Sequence, residues 1–168
     1  MIFENLIFKF FLLFSILILF SSCTQFDSSK DYDPLLEKYV EFWNTGKFDG
    51  IENILHPDFE LRMTPEYEAE KGIDLFMENV TKWRKAYPDF NIVIDEKLYS
   101  INKAAVRWTI TATNTGEGLH PPTGKSIKVP GMSIIHFADG KIKDEWIASN
   151  DGYWMQQLGF KIVSPFEE

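Results

Sequence analysis

The sequence predicts an α+β fold in which the helices come first and the strands follow. Apolar residues recur at helical spacing between positions 34 and 87, whereas from Phe90 onward they alternate with polar residues. A strong hairpin signal, Asp139-Gly140, separates two of the alternating runs. The simplest way to bury the apolar faces of both the helices and the strands is to pack three N-terminal helices in a curved antiparallel sheet. We therefore expect a cone with a pocket at its open end.

Composition supports one domain with a substantial core. The chain has 168 residues, of which 45% are hydrophobic and 15% aromatic, and its net charge is −8. This acidic balance argues against nucleic acid as a partner.

The first 22 residues read as a signal peptide. Lys9 precedes an apolar run, Phe10 to Phe20, that is too short for a comfortable membrane span. Small residues before Cys23 resemble the lipobox of bacterial lipoproteins, which implies cleavage before Cys23 and a lipid on its sulfur. Thr24 replaces the aspartate that retains some lipoproteins in the inner membrane, so the resemblance favours an outer-membrane anchor in the cell envelope. An uncleaved anchor and a plain secretory signal are the alternatives.

Three helices are expected after a tether over residues 23–33. Asp33-Pro34 is typical of a helix start, and Gly46 of a C-terminal cap. A short second helix covers about Phe48 to Leu55, and a third runs from Gly72 to Tyr87. The domain is assigned to residues 34–162 and the tail to residues 163–168.

Strands are expected over Phe59 to Met63, Phe90 to Leu98 and Ala104 to Thr113, and a closing helical segment over Asp151 to Leu158. Residues 126–150 form the predicted hairpin around Asp139-Gly140.

A two-residue turn at Asp139-Gly140 fixes the faces of this hairpin. It places Phe137 opposite Ile142, and because side chains alternate, every second residue shares a face. The predicted core face therefore carries Ser133, Ile135, Phe137, Ile142, Asp144, Trp146, Ala148 and Asn150. Its polar members must be paired or must line a cavity.

Seven short motifs occur in an order and at distances that resemble a known family. They are Tyr87-Pro88-Asp89-Phe90, Val106-Arg107-Trp108-Thr109, Thr113-Asn114-Thr115-Gly116, Pro121-Pro122-Thr123-Gly124-Lys125, Phe137-Ala138-Asp139-Gly140-Lys141-Ile142, Glu145-Trp146 and Gln156-Gln157-Leu158-Gly159. Over about residues 34–160 the chain resembles the SnoaL-like polyketide cyclases, also called ester cyclases, of the nuclear transport factor 2-like fold. The resemblance implies an acidic residue that acts as general acid/base in an aldol closure, without metal or organic cofactor.

The family's acidic residue falls on Asn150 in this sequence. An Asn cannot take a proton, although its amide can hold a carbonyl or enolate oxygen. Asp144, on the same predicted face, is the best replacement base. The structural alternatives are a paired carboxylate for Asp144 and a helix cap for Asn150.

The three histidines show no metal-ligand spacing. His136 is expected at the surface or in a dimer interface, and His56 is expected to be structural. His120 lies on the loop of residues 114–125, where it is either solvated or at a pocket mouth.

Large apolar side chains are expected in the core, and some of them would line any pocket. The candidates for contact with a flat, hydrophobic ligand are Trp43, Phe59, Met63, Phe76, Trp83, Trp108 and Trp146. The polar strand face that begins at Arg107 is either solvated or, by the family resemblance, a homodimer interface through the sheet.

Two functions fit these observations. The first is proton-transfer chemistry of the cyclase or isomerase kind on a small hydrophobic carbonyl compound, with Asn150 polarising the carbonyl and Asp144 serving as the base. The second is a non-catalytic envelope protein of the same fold that binds a ligand or a partner.

Overall fold

A computed structural model describes residues 29–63, 68–161 and 163. Its helices are α1 (Ser29–Thr45), α2 (Ile51–Ile54), α3 (Ile73–Ala86) and α4 (Asp151–Leu158). Its strands are β1 (Leu55–Arg62), β2 (Glu70–Lys71), β3 (Asn91–Ser100), β4 (Lys103–Thr113), β5 (Ser126–Ala138) and β6 (Lys141–Ser149).

The six strands form one sheet in the order β2-β1-β6-β5-β4-β3. Every neighbouring pair is antiparallel except β1 and β6, which run parallel, so the sheet is mixed. The helices pack on this sheet, and the α+β prediction is confirmed.

The core lies between the helices and the inner face of the sheet. On α3, Phe76 and Val80 are four residues apart, so they lie on one side of the helix and are fully buried. The Phe76 ring contacts Tyr39 and Trp43 of α1 and Phe59 of β1. These contacts join the two long helices to the sheet.

Helix α1 begins at Ser29, one turn earlier than Asp33-Pro34 predicts. Contacts with the sheet stabilise this extra turn. The Tyr32 ring stacks on Phe137 with 3.8 Å between centroids, and Asp33 accepts hydrogen bonds from Lys97 and Tyr99. Sequence signals at a helix end do not include such long-range contacts.

The predicted signal peptide and Cys23 lie outside the described residues. No helix in the described part of the chain has both the length and the apolar character needed to cross a membrane.

Candidate functional site

A β-bulge in strand β6 decides which side chains reach the interior. Next to the turn, Ala138 pairs with Lys141 and Phe137 with Ile142, as the hairpin signal predicts. The register then shifts by one residue, and His136 pairs with Asp144. The extra residue is Lys143. A one-residue shift moves all later side chains to the opposite face, so β6 is inverted beyond this point.

The predicted positions of Asp144 and Trp146 on the core face are therefore wrong. Asp144 lies on the outer face, where its Oδ1 is 2.7 Å from His136 Nδ1. The Trp146 side chain is 45% exposed, and the Arg62 guanidinium lies 5.1 Å from its ring centroid.

Glu145 takes the inward position that the sequence assigned to Asp144. It is 5% exposed and pairs across the sheet with Ile135, which is also buried. The Tyr39 hydroxyl of α1 donates a 2.5 Å hydrogen bond to Glu145 Oε2. One carboxylate is thus held inside the cone by a buried tyrosine.

Burial has the largest effect on the pKa of Glu145. Burial raises the pKa of its carboxyl above the ordinary value, and the neighbouring hydroxyls of Ser133 and Tyr39 offset part of that rise. Burial and the neighbouring carboxyl also raise the pKa of the Tyr39 hydroxyl, so Tyr39 stays a hydrogen-bond donor.

Glu145 and Tyr39 line a cavity of about 1140 Å³ inside the cone. Of the seven predicted ligand contacts, four lie on the cavity wall: Trp43, Met63, Trp83 and Trp108. Phe59 and Phe76 are fully buried in the core instead, because they fill the contact between helices and sheet. Trp146, on the outer face, does not reach the cavity.

Asn150 is exposed and forms the N-cap of α4. Its Oδ1 accepts a 3.1 Å hydrogen bond from the Tyr153 backbone N–H, which is the capping alternative for this residue. The helix it begins carries Trp154, another residue of the cavity wall, whose Nε1 donates to the Tyr87 hydroxyl over 3.2 Å.

The loop of residues 114–125 forms part of the cavity wall. At its base the buried Asn114 donates to the Ala86 carbonyl and accepts from the Thr123 N–H. Further along, His120 lies on the cavity wall with its ring 5.0 Å from that of Phe160. His120 therefore borders the cavity, which agrees with one of its two predicted positions.

The described residues contain no group of three or more His, Cys, Asp or Glu side chains that could hold a metal ion.

Three comparisons relate this chain to known proteins. A model of the SnoaL-like polyketide cyclase family matches residues 34–158. A curated relative, the aklanonic acid methyl ester cyclase AcmA of Streptomyces galilaeus, is 28% identical over 112 residues, which cover 64% of this chain and 76% of AcmA.

Solved structures share the architecture. TsrD from Streptomyces laurentii superposes with a TM-score of 0.70 at 23% identity and covers 77% of this chain and 96% of its own. A putative polyketide cyclase from Bacillus cereus gives a TM-score of 0.62 at 25% identity, over 74% of this chain and 78% of its own. The fold is nuclear transport factor 2-like, and the chain belongs to the SnoaL-like polyketide cyclase family.

Proposed function

We propose that this chain catalyses proton transfer of the cyclase or isomerase kind on a hydrophobic carbonyl compound, with Glu145 as its acid/base. The observation that carries the proposal is the position of Glu145, a buried carboxyl on the wall of an aromatic cavity. Family membership supports the reaction class. Asp144 lies on the outer face, and its proposed role passes to its neighbour.

The chemistry requires a carboxylate that takes a proton from a C–H group beside a carbonyl. The electron pair left on carbon is delocalised onto the carbonyl oxygen as an enolate. In a cyclisation, the enolate carbon attacks a second carbonyl of the same molecule, and Glu145 returns its proton to the new alkoxide. In an isomerisation, the proton returns to a different carbon. Both routes leave Glu145 in its starting form.

The surroundings of Glu145 suit its carboxylate to act as a base. A raised pKa makes its carboxylate a stronger base than an exposed one, since proton affinity increases with pKa. Tyr39 holds one carboxyl oxygen through its hydroxyl, which fixes the direction of the group. The indole rings of Trp43, Trp83 and Trp108 on the wall favour a flat ligand with several rings.

The direct test is turnover by matched variants. The compound named for the relative AcmA, aklanonic acid methyl ester, is the first substrate to try, followed by smaller aromatic diketones, with cyclised product detected by mass spectrometry. Glu145→Gln should lower kcat by at least about a hundred-fold, as expected for loss of a general base. Asp144→Asn, the adjacent carboxyl on the outer face, should stay within about threefold of wild type. Equal losses in the two variants would refute the assignment.

Ligand binding without catalysis is the second candidate. It is favoured by Asn150, which stands where the family's acidic residue is expected and whose side chain caps α4. This candidate predicts that Glu145→Gln changes the affinity for a hydrophobic ketone while wild type shows no turnover above the uncatalysed rate.

We further propose that the protein is lipid-anchored through Cys23 in the bacterial cell envelope, with the outer membrane favoured. Metabolic labelling with a fatty acid tests this, because Cys23→Ala should abolish the label.

A homodimer through the outer sheet face is also proposed. Three exposed apolar side chains on that face, Met132, Ile134 and Trp146, support it. Ile134→Glu should then shift the mass measured by light scattering from dimer to monomer.

A further inference from the structure

Trp108 crosses the neighbouring strand inside the cone. It pairs with Gly131 of β5, and a Cβ atom added to Gly131 would lie 2.0 Å from the Trp108 ring. Only glycine therefore lets the indole ring approach the β5 backbone this closely. In this position Trp108 Nε1 donates a 2.8 Å hydrogen bond to Ser133 Oγ, and both side chains are buried.

The bond from Trp108 restricts what the Ser133 hydroxyl can do. A serine hydroxyl has one proton to donate and two lone pairs to accept. Because the indole N–H occupies a lone pair, the serine proton is free for a different acceptor. The Glu145 carboxyl lies on the same inner face of the adjacent strand, diagonally across from Ser133, because Ser133 pairs with Ile147 and Ile135 with Glu145; both polar side chains are buried.

We propose that Trp108 and Ser133 are a positioning pair for the reaction proposed above, in which the indole N–H orients the Ser133 hydroxyl so that it donates to Glu145. Ser133 and Tyr39 then hold the carboxyl from two elements, β5 and α1. Trp108 acts through Ser133, to which its indole N–H donates. The inference rests on the proposed function for its catalytic meaning, but not for its geometry.

Two opposing effects set the pKa of Glu145. Burial disfavours the charged form of the carboxyl, whereas a hydrogen bond donated by a hydroxyl to the carboxylate favours that form. Tyr39 is the titratable group whose hydroxyl bonds to this carboxyl. The other ionisable side chains on the cavity wall are Glu68, Glu70, Lys82, Lys85, Tyr87, Glu117, His120 and Asp151.

The test is a carbon-13 NMR titration of the Glu145 carboxyl in protein labelled on glutamate, with Glu145→Gln used to assign the resonance. Ser133→Ala removes a hydrogen bond to a charged group, so it should raise the titration midpoint by about one pH unit or more. Trp108→Phe should raise it by a smaller amount, because the hydroxyl remains but is no longer oriented.

A double variant tests whether Trp108 acts through Ser133. In the Ser133→Ala background, Trp108→Phe should cause no further change in the midpoint. Trp83→Phe is the matched control, because Trp83 also lies on the cavity wall but its ring contacts are with Tyr87, Phe90 and Trp154. The titration midpoint of Glu145 in this variant should equal that in wild type.

The proposal is overturned if Ser133→Ala leaves the midpoint unchanged, or if Trp108→Phe has its full effect without the serine hydroxyl. If Trp108→Phe fails to fold, benzothienylalanine at position 108 keeps the ring shape and removes only the N–H, and it should reproduce the predicted rise. No substrate enters this titration. Its failure therefore differs from failure of the proposed function, which would appear as absent turnover with a normal titration.

Discussion

Replacing Glu145 by glutamine should make the protein's stability less sensitive to pH. Burial raises the folded-state pKa of this carboxyl above its ordinary value of 4.5, so the folded protein holds the proton more tightly than the unfolded chain does. The stabilisation that results is fully present below pH 4.5. It is lost as pH rises through the folded-state pKa.

The magnitude follows from linkage. Between the unfolded and folded pKa values, the free energy of unfolding of wild type should fall by up to about 1.4 kcal/mol per pH unit through this group alone. Glu145→Gln removes the titration but keeps the contact, since the amide oxygen can still accept from Tyr39. At acidic pH the free energies of unfolding of the two proteins should thus differ by no more than about 1 kcal/mol. As pH rises, the variant should become increasingly more stable than wild type.

Urea unfolding at intervals from pH 4.5 to 8 measures this difference. The contributions of the other titrating groups to the pH dependence are common to the two proteins and cancel in the comparison. A stability difference between Glu145→Gln and wild type that is constant with pH would refute the reasoning, because it would mean that the carboxyl titrates alike in the folded and unfolded chains.

Three further predictions concern the structure around the site, and urea unfolding measures all of them. Phe76→Ala should lower the free energy of unfolding by about 3–5 kcal/mol, because this fully buried ring joins α1, α3 and β1; a loss below 1 kcal/mol would contradict its place in the core. Asn114→Ala should cost about 2 kcal/mol through two lost side-chain hydrogen bonds, and proteolysis should then cut the loop of residues 114–125 faster than in wild type. Asn150→Ala should cost about 1 kcal/mol, the usual value of an N-cap, while an Asn150→Asp variant should keep most of that stability.

The turn of the hairpin was predictable from sequence because its determinants are local. Asp139 and Gly140 both have positive φ angles, 52° and 72°, which aspartate and glycine adopt more readily than most residues. Alternation then predicts the first pairs correctly, up to Phe137 and Ile142.

The bulge that follows was not predictable, because its determinants are distant in sequence. Lys143, the extra residue, directs its ammonium group to the Asp58 carbonyl 3.1 Å away and lies beside His56, so contacts with β1 accompany the shift. Neither its charge nor its neighbours mark it as a bulge. One unpredicted residue moved Asp144 and Trp146 outward and Glu145 inward.

The sequence predicted that the large aromatic residues are buried. It could not predict which of them lie in the core and which lie on the cavity wall. Phe59 and Trp43 have similar apolar character, yet the first is enclosed by other rings and the second borders open space. The difference depends on how far α1 and α3 stand from the sheet, which periodicity does not encode. Tyr39 was predictable only as part of an apolar helix stripe, because its partner Glu145 is 106 residues away.

Deuterium uptake by a simple aromatic ketone tests most directly whether Glu145 is the group that moves the proton. Incubation of 2-tetralone in heavy water with wild type, Asp144→Asn and Glu145→Gln, followed by mass spectrometry, requires proton transfer but no ring closure. We predict faster uptake than in buffer with wild type and Asp144→Asn, and loss of at least about a hundred-fold of that acceleration with Glu145→Gln. Undiminished acceleration by Glu145→Gln, or its loss in Asp144→Asn, would contradict the assignment of the acid/base to the inner face.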